Sequence, residues 1–196
     1  MESVLSAMRQ KKLSLLAVVP RFGASIGGGA ETLIRELFLN LKGDNFDLEI
    51  VTTCAMNHRT WENELPEGLT IEEGLKVRRF LVDMRDLDVF IKAEQKLHHG
   101  FNLSPDEQIS WLENSVNSSG LYQYLFDNKD SYDFIFFAPY LFGTSFWGPL
   151  ICPEKAILVP CLHDEAYAYL PVFRNVFRKV RGVMWNAAPE AELADA

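Results

Sequence analysis

Gly23, Gly27, Gly28 and Gly29 fall in the stretch PRFGASIGGGAETL, residues 20–33, between an apolar run and an amphipathic one. Without Cβ atoms these positions permit positive backbone angles and leave N–H groups open to an anion, and a helix starting there adds the positive end of its dipole. A phosphate at such a junction needs no lysine. The spacing is neither that of a phosphate loop, because no Gly-Lys-Ser/Thr follows, nor the Gly-x-Gly-x-x-Gly of dinucleotide sites. A tight turn without ligand contact therefore stands beside the phosphate reading. Glu31 lies in the first turn of the expected helix, where its charge complements the dipole whether or not it touches a ligand.

A second group is concentrated in VPCLHDEAYAYLP, where His163, Asp164 and Glu165 follow an apolar strand at once. An imidazole delivered to a sheet edge can donate to a sugar hydroxyl or orient a phosphate oxygen; loop packing is the plainer role. Adjacency alone makes neither carboxylate a base, because a base must reach the proton that it removes. Tyr140, Phe142, Phe146 and Trp147, with Gly143 and Gly148 among them, suit an apolar wall for an acceptor, a contact with a partner domain, or the core. His58, His98 and His99 read as surface residues, and their separation from His163 gives no metal motif.

The elements that must position these groups alternate. LSLLAVV, 13–19, reads as a strand buried on both faces. Leu33, Ile34, Leu37, Phe38 and Leu41 then form a helical stripe. Further strands are expected at 47–53, 76–82, within YDFIFFAPY, at 155–161 and at 182–187, and 58–74 reads as a loop. Residues 86–98 suit a helix. Ser104, Pro105 and Glu107 make a capping-box start for a long helix that Gly120 bends or divides. Pro171 opens another helix, and Pro189 a last one. Strands separated by helices predict an α/β, Rossmann-like, doubly wound and mainly parallel sheet. Ligands of such sheets meet the carboxyl ends of strands, which singles out the loops after Val19, Phe137, Cys161 and Asn186.

The 196 residues suffice for one well-buried core, preceded by a short extension at 1–12. A net charge of -8 argues against a broad nucleic-acid or anionic-lipid footprint. Cys54, Cys152 and Cys161 lack disulfide or zinc spacing and read as buried thiols of a reducing compartment. MESVLSAMRQKK lacks the pattern of a signal peptide, so the expected location is cytoplasmic.

Taken in order, GGGAE at 27–31, LHDE at 162–165 and WNAAPEAEL at 185–193 resemble the N-terminal domain of a family 4 glycosyltransferase, a retaining enzyme built from two facing Rossmann-like domains in the GT-B fold. The resemblance covers nearly all of residues 13–196. It implies transfer of a sugar from a nucleotide diphosphate sugar to a sugar or glycoconjugate acceptor, with no cofactor and no essential metal. It places His163 beside the transferred sugar and Gly27, Gly28, Gly29, Glu31, Asp164 and Asn186 among the substrate contacts. Ala187 stands where the family's Asn-Ser/Thr-x-x-Glu segment has a hydroxyl. In this family the C-terminal domain holds most of the nucleotide and carries the paired glutamates. The chain stops within the helix begun near Pro189, so an excised acceptor-binding domain lacking its donor domain is expected, inactive alone and possessing peripheral contact with an inner membrane face only as part of the full enzyme. The other readings are a standalone nucleotide or sugar-phosphate binding module and a noncatalytic scaffold.

Overall fold

A computed structural model describes residues 12–195. The extension assigned to 1–12 lies outside these residues except for Lys12. Seven strands form one sheet: β1 (Leu13–Val18), β2 (Phe46–Thr53), β3 (Gly68–Glu72), β4 (Leu75–Phe80), β5 (Phe134–Phe137), β6 (Ala156–Leu158) and β7 (Gly182–Val183). Their order is β3-β4-β2-β1-β5-β6-β7, and every pairing is parallel except β3 with β4. The helices are α1 (Gly29–Asn40), α2 (Leu87–His98), α3 (Pro105–Glu113), α4 (Ser119–Asn128), α5 (Gly143–Ile151), α6 (Pro171–Lys179) and α7 (Ala188–Ala194).

β1 explains why its sequence is apolar without interruption. Leu15, Ala17 and Val19 join Ile34 and Phe38 of α1 in one core, while Leu16 and Val18 join Trp111, Leu121 and Phe137 in the other. Alternating side chains thus serve both faces of a sheet covered on both sides. The predicted doubly wound α/β fold is the fold observed. The chain leaves β1 for β2 on one side and later returns to β5 on the other, so the crossover in strand order lies between β1 and β5, where ligands of such sheets sit.

One expectation needs correction, and two other regions add detail. Residues 58–74 are not all loop, because Gly68–Glu72 is β3, joined to β4 by Glu73 and Gly74 at φ 50° and 78°. Both positive angles suit the mirror-image turn of a two-residue hairpin. The helix after Ser104 is divided, as one of the two expectations had it: α3 keeps the capping box, and α4 restarts after its N-cap Ser118, whose hydroxyl accepts from the Leu121 N–H. The break precedes Gly120, where an added Cβ would lie 3.2 Å from Phe80. Finally, the segment around Phe146 and Trp147 is α5 despite Gly148 and Pro149, buried between the sheet and its neighbouring helices. Here tertiary burial outweighs weak helix propensity.

Candidate functional site

Four loops converge at the carboxyl edge of the sheet and enclose a cleft of about 680 Å³. The first turn of α1 supplies Gly29 and Glu31, the β5 exit supplies Pro139 and Leu141, the β6 exit supplies Cys161 to His163 and Glu165, and the β7 exit supplies Asn186 and Glu190. These are the loops that the sequence singles out at the carboxyl ends of strands.

The glycine loop is held from beneath by Arg21. Its guanidinium donates to the Met56 carbonyl at 2.9 Å and to the Gly27 carbonyl at 3.4 Å, and pairs with the Glu31 carboxylate. The Trp61 ring lies under the same group, 5.6 Å from ring centroid to Cζ, and Phe142 packs edge-on against Trp61. Arg21 is 7% exposed, so it is an internal fastener and not a ligand-facing cation. The reason for glycine is narrower than a need for positive angles. Gly28 is extended at φ 164°, and an added Cβ would fall 2.1 Å from Glu31 Oε2, whereas one at Gly27 or Gly29 would meet nothing within 4 Å. Gly28 thus leaves room for the carboxylate that Arg21 holds. No side chain caps α1, so the N–H groups of its first turn remain without intrahelical acceptors and point at the cleft end of the helix.

Glu190 ties the opposite wall together. One carboxylate oxygen accepts from the Leu162 N–H and the other from the Asn186 N–H, both at 2.6 Å, so one buried side chain bridges the β6 and β7 exits. Local sequence explains half of this arrangement. Pro189 stands in the first turn of α7, and Glu190 occupies the third helical position, where a capping-box glutamate reaches back to the preceding backbone. The hydroxyl half of that box is missing because Ala187 is the N-cap residue and forms no side-chain cap.

His163 is exposed at the rim, with no hydrogen-bond partner for its ring among the described residues, which leaves both nitrogens free for a ligand. Glu165 accepts from the Tyr140 hydroxyl at 2.9 Å, and burial with this carboxylate nearby pushes the Tyr140 phenol well up. Cys161 adopts φ 53°, a region that non-glycine residues seldom enter, and burial pushes its thiol up to about 11. It is therefore a neutral wall group at neutral pH.

Several expected site residues lie elsewhere. Asp164 faces Tyr169, whose hydroxyl donates to it at 2.8 Å, and it does not line the cleft. Gly27 and Gly28 form the loop behind the lining residues. Phe146 is buried in the larger core and Trp147 packs against it, while Phe142 backs Trp61; these three form no wall of this cleft. Tyr140 is buried and reaches the site only through Glu165. The sequence reading missed Arg21 and Glu190 as structural keys. Glu190 stood in the WNAAPEAEL segment, but its bond to Leu162 joins residues 28 positions apart. Among the described residues, no group of three His, Cys, Asp or Glu side chains is arranged to hold a metal ion, and no helix is long and apolar enough to cross a membrane. Comparison with protein-family models, with curated proteins and with solved structures gives no match to this chain.

Proposed function

We propose that this chain is the acceptor-side domain of a retaining, family 4-type glycosyltransferase, which moves a sugar from a nucleotide diphosphate sugar to a sugar or glycoconjugate acceptor. The observation that carries the reading is the meeting of the uncapped first turn of α1, His163 and Asn186 around one cleft at the strand-order crossover. GGGAE, LHDE and WNAAPE supply these three walls in the order in which the family's segments occur.

In this reading a donor domain, carried by the same polypeptide or by a partner, closes over the cleft and brings the nucleotide sugar. His163 contacts the transferred sugar and steadies charge as the glycosidic bond breaks, while the loop N–H groups and Asn186 orient hydroxyls. Removal of water by closure strengthens each of these contacts. No step calls for a metal. A cytoplasmic location, with peripheral contact at the inner face of a membrane for the full enzyme, belongs to the same proposal.

The test is sugar transfer by the chain joined to a donor domain, measured over a panel of nucleotide sugars and acceptors with chelator present. The joined protein should turn over, and His163→Ala should lower both kcat and kcat/KM by about a hundredfold with folding unchanged. The chain alone should give no transfer. Failure of every donor and acceptor pair in the joined protein contradicts the function; robust transfer by the isolated chain contradicts the division of labour.

A further inference from the structure

We propose that the cleft admits an uncharged or amine-bearing polyhydroxyl acceptor and turns away phosphorylated ones, an inference that rests on reading the cleft as an acceptor site. A carboxylate of the protein's own already stands at the head of α1, without accepting from the first-turn N–H groups. The Glu31 carboxylate folds back over Gly28 so closely that a Cβ there would collide with Oε2, and the buried Arg21 guanidinium holds it in place. Arg21 therefore compensates a charge of the protein's own and is not free to pair with a ligand.

The remaining lining adds to that bias. Glu165 uses one oxygen for the Tyr140 hydroxyl, and Glu190 is engaged by the Leu162 and Asn186 N–H groups. Among the described residues no lysine or arginine lines the cleft. A phosphate dianion entering about 680 Å³ beside the Glu165 and Glu190 carboxylates meets repulsion that the first-turn N–H groups and His163 oppose. Sugar hydroxyls meet no such conflict, because each can donate to a carboxylate and accept from a backbone N–H or an imidazole. An ammonium substituent gains attraction from the same carboxylates.

The probes are methyl glucoside, glucosamine and glucose 6-phosphate, titrated at low salt into the isotopically labelled full chain while backbone amide shifts are followed. Methyl glucoside and glucosamine should move the amides of Gly29 to Glu31, Leu162 to Glu165 and Asn186, and glucosamine should bind about tenfold more tightly than glucose 6-phosphate. In Glu165→Gln, which retains an acceptor for Tyr140, that ratio should fall about threefold. Equal or tighter binding of glucose 6-phosphate at these amides overturns the inference and leaves the acceptor reading standing, as does a ratio that Glu165→Gln leaves unchanged. If none of the three probes moves these amides, the acceptor reading fails and takes the inference with it.

Discussion

Two clefts of comparable size are built in opposite ways. The cleft at the head of α1 measures about 680 Å³ and is lined by Glu31, Glu165 and Glu190, held by Arg21, the Tyr140 hydroxyl and backbone N–H groups respectively; the other, about 520 Å³, lies against α6 and is lined by Arg174 and Arg178 with Tyr169, Phe177 and Trp185. Among the described residues neither Arg174 nor Arg178 forms an ion pair or a side-chain hydrogen bond, and both are exposed. In the first cleft, Arg21 fixes the β1 exit while Glu190 joins the β6 and β7 exits. Volume does not separate the two. The difference lies in buried ionic groups that hold loop backbone in one arrangement, which is how a site limits reorganisation when a ligand arrives.

That contrast can be broken by removing the fasteners. Arg21→Met leaves Glu31 charged and nearly buried, and should cost about 3–5 kcal/mol in urea unfolding. Combining Arg21→Met with Glu31→Gln should recover much of the loss, since the uncompensated charge is gone. A cost below about 1 kcal/mol for Arg21→Met would mean that water reaches the pair and that it fastens nothing.

Glu190→Ala should cost about 2–4 kcal/mol, because the Leu162 and Asn186 N–H groups both lose their acceptor. Hydrogen exchange should quicken at those two amides and remain unchanged in β1. Equal quickening throughout the chain would point to global loss of stability instead of release of the two loops.

At the glycine loop the contrast sharpens to neighbouring residues. Gly28→Val should displace Glu31 from Arg21 and cost about 2 kcal/mol, whereas Gly27→Ala should stay within about 0.5 kcal/mol. Thermal unfolding of the pair decides this, and equal losses would return the glycines to backbone geometry. The smallest effect belongs to the other cleft, where Arg174→Ser and Arg178→Ser should each change stability by less than about 0.5 kcal/mol. Larger losses would reveal anchoring there.

The sequence made the sheet and the address of the site readable because both depend on local pattern. Apolar runs such as LSLLAVV gave the central strand, and the switch from strand to helix after Pro20 located the glycine junction at the carboxyl edge. β3 was hidden because an edge strand with Leu69 and Ile71 exposed has no buried alternation to display. α5 was hidden for the opposite reason: its burial overrides Gly148 and Pro149, which by propensity alone argue for a loop. His163 and Asn186 were legible on the predicted loops and Glu31 in the first turn of the predicted helix, and the structure brings them to one cleft. Arg21 was not, because its bond to Met56 spans 35 positions and no local spacing encodes it. The aromatic residues after β5 invited a groove, but the buried face of a helix and the wall of a groove have the same apolar composition in sequence.

The most direct measurement is a crystal structure of the chain soaked with methyl glucoside at saturating concentration. The account predicts density for the sugar between the first turn of α1, His163 and Asn186, with its hydroxyls on Glu165 and the loop N–H groups. Density confined to the cleft beside Arg174 and Arg178, or an unoccupied α1 cleft at saturation, would contradict it.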